Sequence, residues 1–419
     1  MTSALSVREK MTSVLRGGPF ARYMTGEAIS MTGTWMQLMA QSWVLTTLTN
    51  SAAMLGMVNF ASGIPMLLLT MLGGSVADQY DKRRILLATQ VVQIALAVLA
   101  GWLVVTGRIQ IWHLLAIAVV LGISTAFEMP SASALVPELV SKDEVATAIA
   151  IDRSVFHGTR LIGPALGGIV IGFWGAASAF FINAASFIAL IVALLSLQPR
   201  KRGTDVEEEQ RRGGMKEGLK YVRADKPTWS MIALMASVTV FVFPVMVVML
   251  PLYAKEVLSL GPDRMGLLMG ISGIGSLAGS IGLLAVAREK RIGYLLMATA
   301  GVGVALVALS RATNFAIAAG ALIVLSLSVS TSIGLANTVV QERAPSPLRG
   351  RVSAIAGLSF FGLMPFAALG ITSVADWIGL RRALLVAAAC YVAAALAVLR
   401  GPARHLYSTS APNVPKTSP

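Results

Sequence analysis

Twelve runs of about twenty mostly apolar residues fill this 419-residue chain, near 20–48, 52–76, 85–106, 111–138, 144–171, 175–197, 229–254, 264–287, 293–310, 315–343, 352–376 and 379–399. A helix needs about 20 such residues to cross the hydrocarbon of a bilayer. In lipid the backbone polar groups must be satisfied within the segment, so each run reads as a spanning helix rather than a strand or loop. Charged residues make up only 13% of the chain, against about 25% in a soluble domain. The expected fold class is therefore all-α membrane protein with twelve transmembrane helices. The only long polar interruption, 198–228, divides them into six and six. The expected organisation is an N-terminal segment 1–19, a six-helix bundle 20–197, a linker 198–228, a second bundle 229–400 and a disordered tail 401–419. The linker carries Arg200-Lys201-Arg202, Glu207-Glu208-Glu209 and an amphipathic stretch from Met215 to Val222.

The net charge of +14 raises the question of nucleic acid, but its distribution answers otherwise. Basic residues gather in alternate loops: Arg8 to Arg22, Lys82 to Arg84, Arg200 to Lys226, Arg288 to Arg291, Arg343 to Arg351, and from Arg400 on. That alternation is the positive-inside bias of membrane insertion, and it puts both termini in the cytoplasm. Residues 1–19 are polar and basic and read as no cleavable leader. The single Cys390 leaves no disulfide framework within the chain. His113 and His157 each stand without the Cys, His or carboxylate company that a metal needs, so no metal or other cofactor is expected. No nucleophile–base set is visible, and an enzyme is not the reading.

The halves resemble each other. Shifting the first by 210 residues aligns Gly56 with Gly266 and Ser62-Gly63-Ile64 with Ser272-Gly273-Ile274; a shift of 204 aligns Glu138 with Glu342, Gly158 with Gly362 and Gly175 with Gly379. Six plus six with internal similarity points to two pseudo-symmetric bundles.

Ionisable residues inside a bilayer cost about 2.5–3.5 kcal/mol on insertion scales, so those within the runs call for a reason. Glu27, Glu128, Asp152, Arg153 and Arg160 are the candidates for coupling transport to protons, with Arg153 or Arg160 pairing whichever carboxylate is ionised. The alternative is a static ion pair that fixes helix packing. Glu27 shares a helical face with Ser30, Thr34, Gln37 and Gln41, so Thr34, Gln37 and Gln41 are expected to line a wet cavity. In the second half Asn337 and the hydroxyls of the 315–343 run are the corresponding polar lining. Gly163-Pro164-Ala165-Leu166-Gly167-Gly168 offers close approach and a missing backbone donor, hence a packed hinge at Gly163, Pro164, Gly167 and Gly168.

Between the second and third runs lies Gly73-Gly74-Ser75-Val76-Ala77-Asp78-Gln79-Tyr80-Asp81-Lys82-Arg83-Arg84. It resembles the loop between helices 2 and 3 of major facilitator superfamily (MFS) transporters, with Gly74, Asp78, Lys82 and Arg83 in matching positions and Gln79 and Asp81 departing from the pattern. The hinge resembles the Gly-Pro-x-x-Gly-Gly core of antiporters in that superfamily, with Thr159 where a further Gly is usual. Trp35-Met36, Leu48-Thr49-Asn50-Ser51-Ala52, Leu135-Val136-Pro137-Glu138-Leu139-Val140 and Leu348-Arg349-Gly350-Arg351-Val352 are similar to the bacterial branch that includes enterobactin exporters and macrolide-efflux proteins. The resemblance implies an MFS fold and alternating access. It also implies a gating loop in which Asp78 and Asp81, beside Lys82 and Arg83, meet Arg349 and Arg351 of the second half.

The combined expectation is a monomeric, proton-coupled exporter in a bacterial inner membrane. Its partners are a small amphipathic substrate (a drug-like compound or a siderophore), protons and membrane lipid, with no nucleic acid. Two alternatives stay open: a lysophospholipid-type lipid transporter, and a transporter-like sensor that binds without transport.

Overall fold

The computed structural model describes residues 14–16, 18–197, 215–283 and 286–400. Most of the predicted N-terminal segment, the Arg200 and Glu207 clusters of the linker, and the tail from 401 lie outside them. The first six spans are α1 (Pro19–Leu48), α2 (Ala52–Gln79), α3 (Lys82–Val105), α4 (Ile111–Leu135), α5 (Val145–Trp174) and α6 (Ala176–Leu195). A short amphipathic helix, α7 (Met215–Ala224), follows. The seventh span is composite: α8 (Lys226–Phe241), a wide π-helical turn over Pro244–Met249 and α9 (Leu250–Glu256). Pro244 has no backbone N–H to give, so the ladder is already interrupted where the turn widens. Then come α10 (Pro262–Gly282), α11 (Arg291–Arg311), α12 (Phe315–Arg343), α13 (Arg349–Phe361) with α14 (Met364–Ile378), and α15 (Leu380–Arg400).

Among the described residues, eleven segments are long and apolar enough to cross a membrane. The twelfth, α1, has the length at 30 residues but carries Thr25, Glu27, Ser30, Thr32, Thr34, Gln37 and Gln41, which dilute its hydropathy. That dilution already separates α1 from an ordinary lipid-anchored span.

The two halves repeat each other in detail. α2 packs on α4 as α10 packs on α12, and α3 packs on α6 as α11 packs on α15. Gly175 and Gly379, aligned by the sequence shift, both end a helix with positive φ (79° and 87°), a conformation that glycine adopts without a Cβ penalty. Lys82 bonds Glu138 at 2.8 Å in the first half, and Arg291 bonds Glu342 at 2.7 Å in the second.

The halves meet chiefly along two seams, α2 with α14 and α5 with α10, beside which α1 touches α9 and α2 touches the π turn. The aligned glycines make both seams. A Cβ on Gly56 would fall 2.0 Å from Thr372 and one on Gly63 2.4 Å from Pro365; their counterparts Gly266 and Gly273 press on Pro164 and Leu161. All these positions sit toward one end, the end opposite the Lys82–Arg84, Lys226, Arg288–Arg291 and Arg343–Arg351 clusters. Toward that basic end the halves diverge. α13 packs on α7, α8, α12 and α14, all on its own side, and Leu68 and Met71 of α2 are 68% and 83% exposed.

Candidate functional site

Three carboxylates lie at one depth in the first half. Glu27 is eight residues from the start of α1, Glu128 seven from the end of α4 and Asp152 seven from the start of α5. At 1.5 Å per residue that is about 11–12 Å in from the basic end. Glu27 lies within electrostatic reach of both Glu128 and Asp152, and the Tyr23 hydroxyl, one turn earlier on α1, faces Glu27.

No arginine holds Glu128. Two amides from α3 do: Gln90 donates to Oε1 at 2.7 Å and Gln93 to Oε2 at 2.5 Å, while Gln93 also approaches Ser124 at 3.5 Å. Both glutamines are buried. The expected pairing of Arg153 or Arg160 with an ionised carboxylate is thereby corrected for Glu128. Arg153 approaches only its sequence neighbour Asp152, at 3.9 Å. Arg160 lies with its guanidinium 5.6 Å from the centre of the Trp35 ring, a cation–π arrangement. Gln90 and Gln93 were legible in principle, as a polar i, i+3 pair inside the otherwise apolar 85–106 run.

The polar face of α1 also resolves differently from the expectation. Ser30, Gln37 and Gln41 are buried. Asn183 of α6 donates to Gln37 Oε1 at 2.7 Å, and Ser186 donates to Asn183 Oδ1 at 3.0 Å. Gln37 therefore belongs to the first bundle's interior, where a buried amide must be satisfied, and not to a substrate cavity. Thr34 turns its hydroxyl back to the Ser30 carbonyl at 3.0 Å. Asn337 is exposed on α12, between Gly334, which abuts Leu283, and Gln341, which bonds Ser353 of α13. It thus fronts the gap between the halves.

The hinge on α5 packs two ways. Gly163 and Gly167 abut Trp35 and Met36 of α1, while Pro164 and Gly168 abut Gly266 of α10 across the seam. The helix runs through Pro164 unbroken, and Thr159 sits buried with its hydroxyl on the Phe156 carbonyl at 3.0 Å.

The gating loop is engaged within its own half. Asp81 caps α3 through the Arg83 N–H at 2.9 Å, Lys82 bonds Glu138, and Arg83 donates to the Leu195 carbonyl at 2.9 Å. Arg351 is held by Glu217 of α7, and Arg349 is exposed at the start of α13. The expected meeting of the loop with Arg351 is thus not made in this conformation, because the halves are apart at this end. Asp78 is exposed. A Cβ on Gly74 would meet open space, whereas one on Gly73 would fall 2.0 Å from the Ala126 carbonyl of α4, so Gly73 is the packing glycine here.

At the opposite end the halves are tied. Asp376, at the end of α14, accepts from the Ser51 hydroxyl at 2.5 Å and from the N–H groups of Ala52 (2.5 Å) and Ala53 (3.2 Å), capping α2 from the other half. At the same end Lys255 of α9 donates to the Thr46 carbonyl of α1, and Phe60 meets Phe366 edge to face at 5.5 Å across the α2–α14 seam. Among the described residues no group of His, Cys, Asp and Glu could hold a metal ion.

A family model described as transmembrane secretion effector matches residues 11–416. The staphyloferrin A transporter of Staphylococcus aureus is 31% identical over 183 residues, 43% of this chain and 45% of that one. The multidrug efflux pump Tap of Mycolicibacterium fortuitum is 22% identical over 90% of this chain and 93% of its own. Macrolide efflux protein A of Streptococcus pyogenes is 22% identical over 90% and 94%. Among solved structures, an inward-facing, unoccupied bacterial homologue of the human lysosomal transporter Spinster superposes with a TM-score of 0.68 at 15% identity, covering 93% of this chain and 98% of that one.

Proposed function

From the premise that the chain belongs to the transmembrane secretion effector family of MFS transporters, and is a multi-pass transporter of small molecules, we propose that it is a proton-driven exporter of amphipathic compounds in a bacterial inner membrane. The basic end is cytoplasmic, following the positive-inside rule. The protein then faces inward here, sealed outside by Asp376, Lys255 and the glycine seams and open to the cytoplasm between α2 and α13.

One observation carries the proton reading: three carboxylates at one depth, with amide and hydroxyl company on Glu128 and Glu27 in place of arginine. Amides, unlike an arginine, bring no charge that would hold Glu128 permanently ionised. A group so placed can take up a proton in one conformation and release it in the other. Glu128 is the proposed carrier, with Glu27 and Asp152 setting its field; Tyr23, His157, Arg153 and Arg160 are the other titratable or charged neighbours. When the halves rock, the outer seam opens and the gating loop closes on the second half, Asp78 approaching the start of α13 where Arg349 and Arg351 lie. The small size of Gly74 would be needed only then. The mechanism requires one chain and no cofactor.

The test is efflux from proteoliposomes driven by an imposed pH gradient, in wild type and in Glu128→Gln, Glu27→Gln and Asp152→Asn. We expect flux to collapse with the gradient and Glu128→Gln to abolish gradient-driven flux while leaving binding intact. Undiminished, pH-dependent flux in all three variants would refute the proton role.

A further inference from the structure

Two stripes of α5 lie between its packed faces, one exposed throughout and one in which Arg160 is half-buried. Ile162, Leu166, Ile169 and Phe173, 42–79% exposed, are the lipid stripe. On the other side, between the faces that meet α1 and α10, stand Arg153, His157 and Arg160, spaced four and three apart. This second stripe fronts the gap between the halves. Arg160 is the deepest of the three, and its partner is an aromatic face: the guanidinium lies 5.6 Å from the Trp35 ring centre. Trp35 is buttressed edge to face by Phe156 at 5.9 Å, and Phe156 by His157 at 5.5 Å.

Among the described residues, no carboxylate lies within 4 Å of Arg160. The nearby acids are otherwise engaged, Glu128 with Gln90 and Gln93, Glu27 with Tyr23, and Asp152 with Arg153. The second half carries an aromatic cluster in which Phe360 meets Phe243 and Phe361 edge to face at 4.8 and 5.1 Å. An arginine at membrane depth needs a counter-ion, and a guanidinium stacked on an indole is oriented to present its edge donors to a planar anion.

We infer that Arg160, seated on Trp35, is the anion receptor of the cavity, so that the cargo is an amphipathic organic anion, a carboxylate or its equivalent attached to an aromatic or apolar body. The inference rests on the transporter reading but needs no proton coupling.

Binding is therefore measured at equilibrium, without a gradient, by fluorescence anisotropy on purified protein in nanodiscs. The probes are two dyes that share a xanthene ring, anionic carboxyfluorescein and cationic rhodamine 6G. Wild type should bind carboxyfluorescein at least about tenfold more tightly. Arg160→Gln should weaken carboxyfluorescein roughly 30-fold or more and leave rhodamine 6G unchanged or tighter. Arg160→Lys, which keeps the charge but loses the planar fork, should fall between. A cation preference in wild type, no binding of the anionic dye, or unchanged anion affinity in a folded Arg160→Gln overturns the proposal. If that variant fails to fold, the wild-type preference and Arg160→Lys decide. Binding without gradient-driven flux would instead count against the exporter reading alone.

Discussion

Asp376 offers the sharpest perturbation of the conformational equilibrium. Its carboxylate accepts from Ser51, Ala52 and Ala53 of the opposite half, and those bonds exist only while the outer end is closed. When the seam parts, α2 keeps its own cap, since the Ser51 hydroxyl still accepts from the Met54 N–H at 3.2 Å. Replacing Asp376 by Ala therefore weakens the closed state without unravelling the helix. The carboxylate is exposed, which places the loss within the range of an ordinary N-cap, about 1–2 kcal/mol. At 1.4 kcal/mol per tenfold, the equilibrium shifts roughly 5- to 30-fold toward outward-open. A minor outward state of about 1% would rise to about 5–25%. Double electron–electron resonance would read this in a Cys390→Ser background. One label pair spans the outer end (Arg108→Cys with Thr313→Cys) and another the basic end (Lys142→Cys with Glu289→Cys). The outer distance distribution should gain a longer component and the inner one a shorter component. Asp376→Asn, which keeps one acceptor oxygen, should give a smaller shift. Identical distributions at both ends in a folded Asp376→Ala would refute the trans-cap as an outer latch.

Three further outcomes follow from the same geometry. Asp225, buried before α8, accepts two hydrogen bonds from Arg343 (2.6 and 2.8 Å) and two from Thr228, of which the hydroxyl's is 2.5 Å. Burial alone would raise its carboxyl, but those bonds outweigh burial and hold it below 3.8. Its contribution is thus full above the unfolded value of about 3.9 and lost as pH falls through the lower folded one; Asp225→Ala should cost about 3–5 kcal/mol, read as a lowered Tm at pH 7 whose deficit narrows in acid. Gly73→Ala should destabilise by about 1–3 kcal/mol through overpacking on Ala126, while Gly74→Ala should leave Tm unchanged or higher and impair only transport. Asp78→Lys should insert normally yet transport poorly in proteoliposomes; normal flux would remove the inner latch.

Much of the fold was readable because its determinants are local. Span length, loop charge and paired glycines are all properties of short segments, and the glycines at 56, 63, 266 and 273 reappear as the two seams. The site was less legible because the partner of a polar side chain is a matter of packing. The stripe Ser30, Gln37, Gln41 announces a polar face on α1 but not whether that face meets water or Asn183. The Asp376 contact was invisible for the same reason: its partners, the Ser51 hydroxyl and two backbone N–H groups, are 323 or more residues away. The loop motif locates the proposed gate but not the conformation in which it would close.

The internal repeat supports placing the proposed proton site in the first half. Glu128 on α4 corresponds, by the shift that pairs Glu138 with Glu342, to Ser332 on α12. Thr89, beside Gln90 on α3, corresponds by the earlier shift to Thr299 on α11. Ser332 and Thr299 are buried, and the hydroxyl of buried Tyr391 neighbours both. The same place in the two bundles thus holds a carboxylate with two amides in one and three neutral hydroxyls in the other. Helix packing alone cannot require the charge, since the second bundle packs the equivalent site without it. A buried carboxylate is costlier than a hydroxyl, so its confinement to one half fits a task that half performs alone. Glu128→Ser, making the first half resemble the second at this point, should on that reasoning preserve folding, with a stability within about 1–3 kcal/mol of wild type, and eliminate gradient-driven flux.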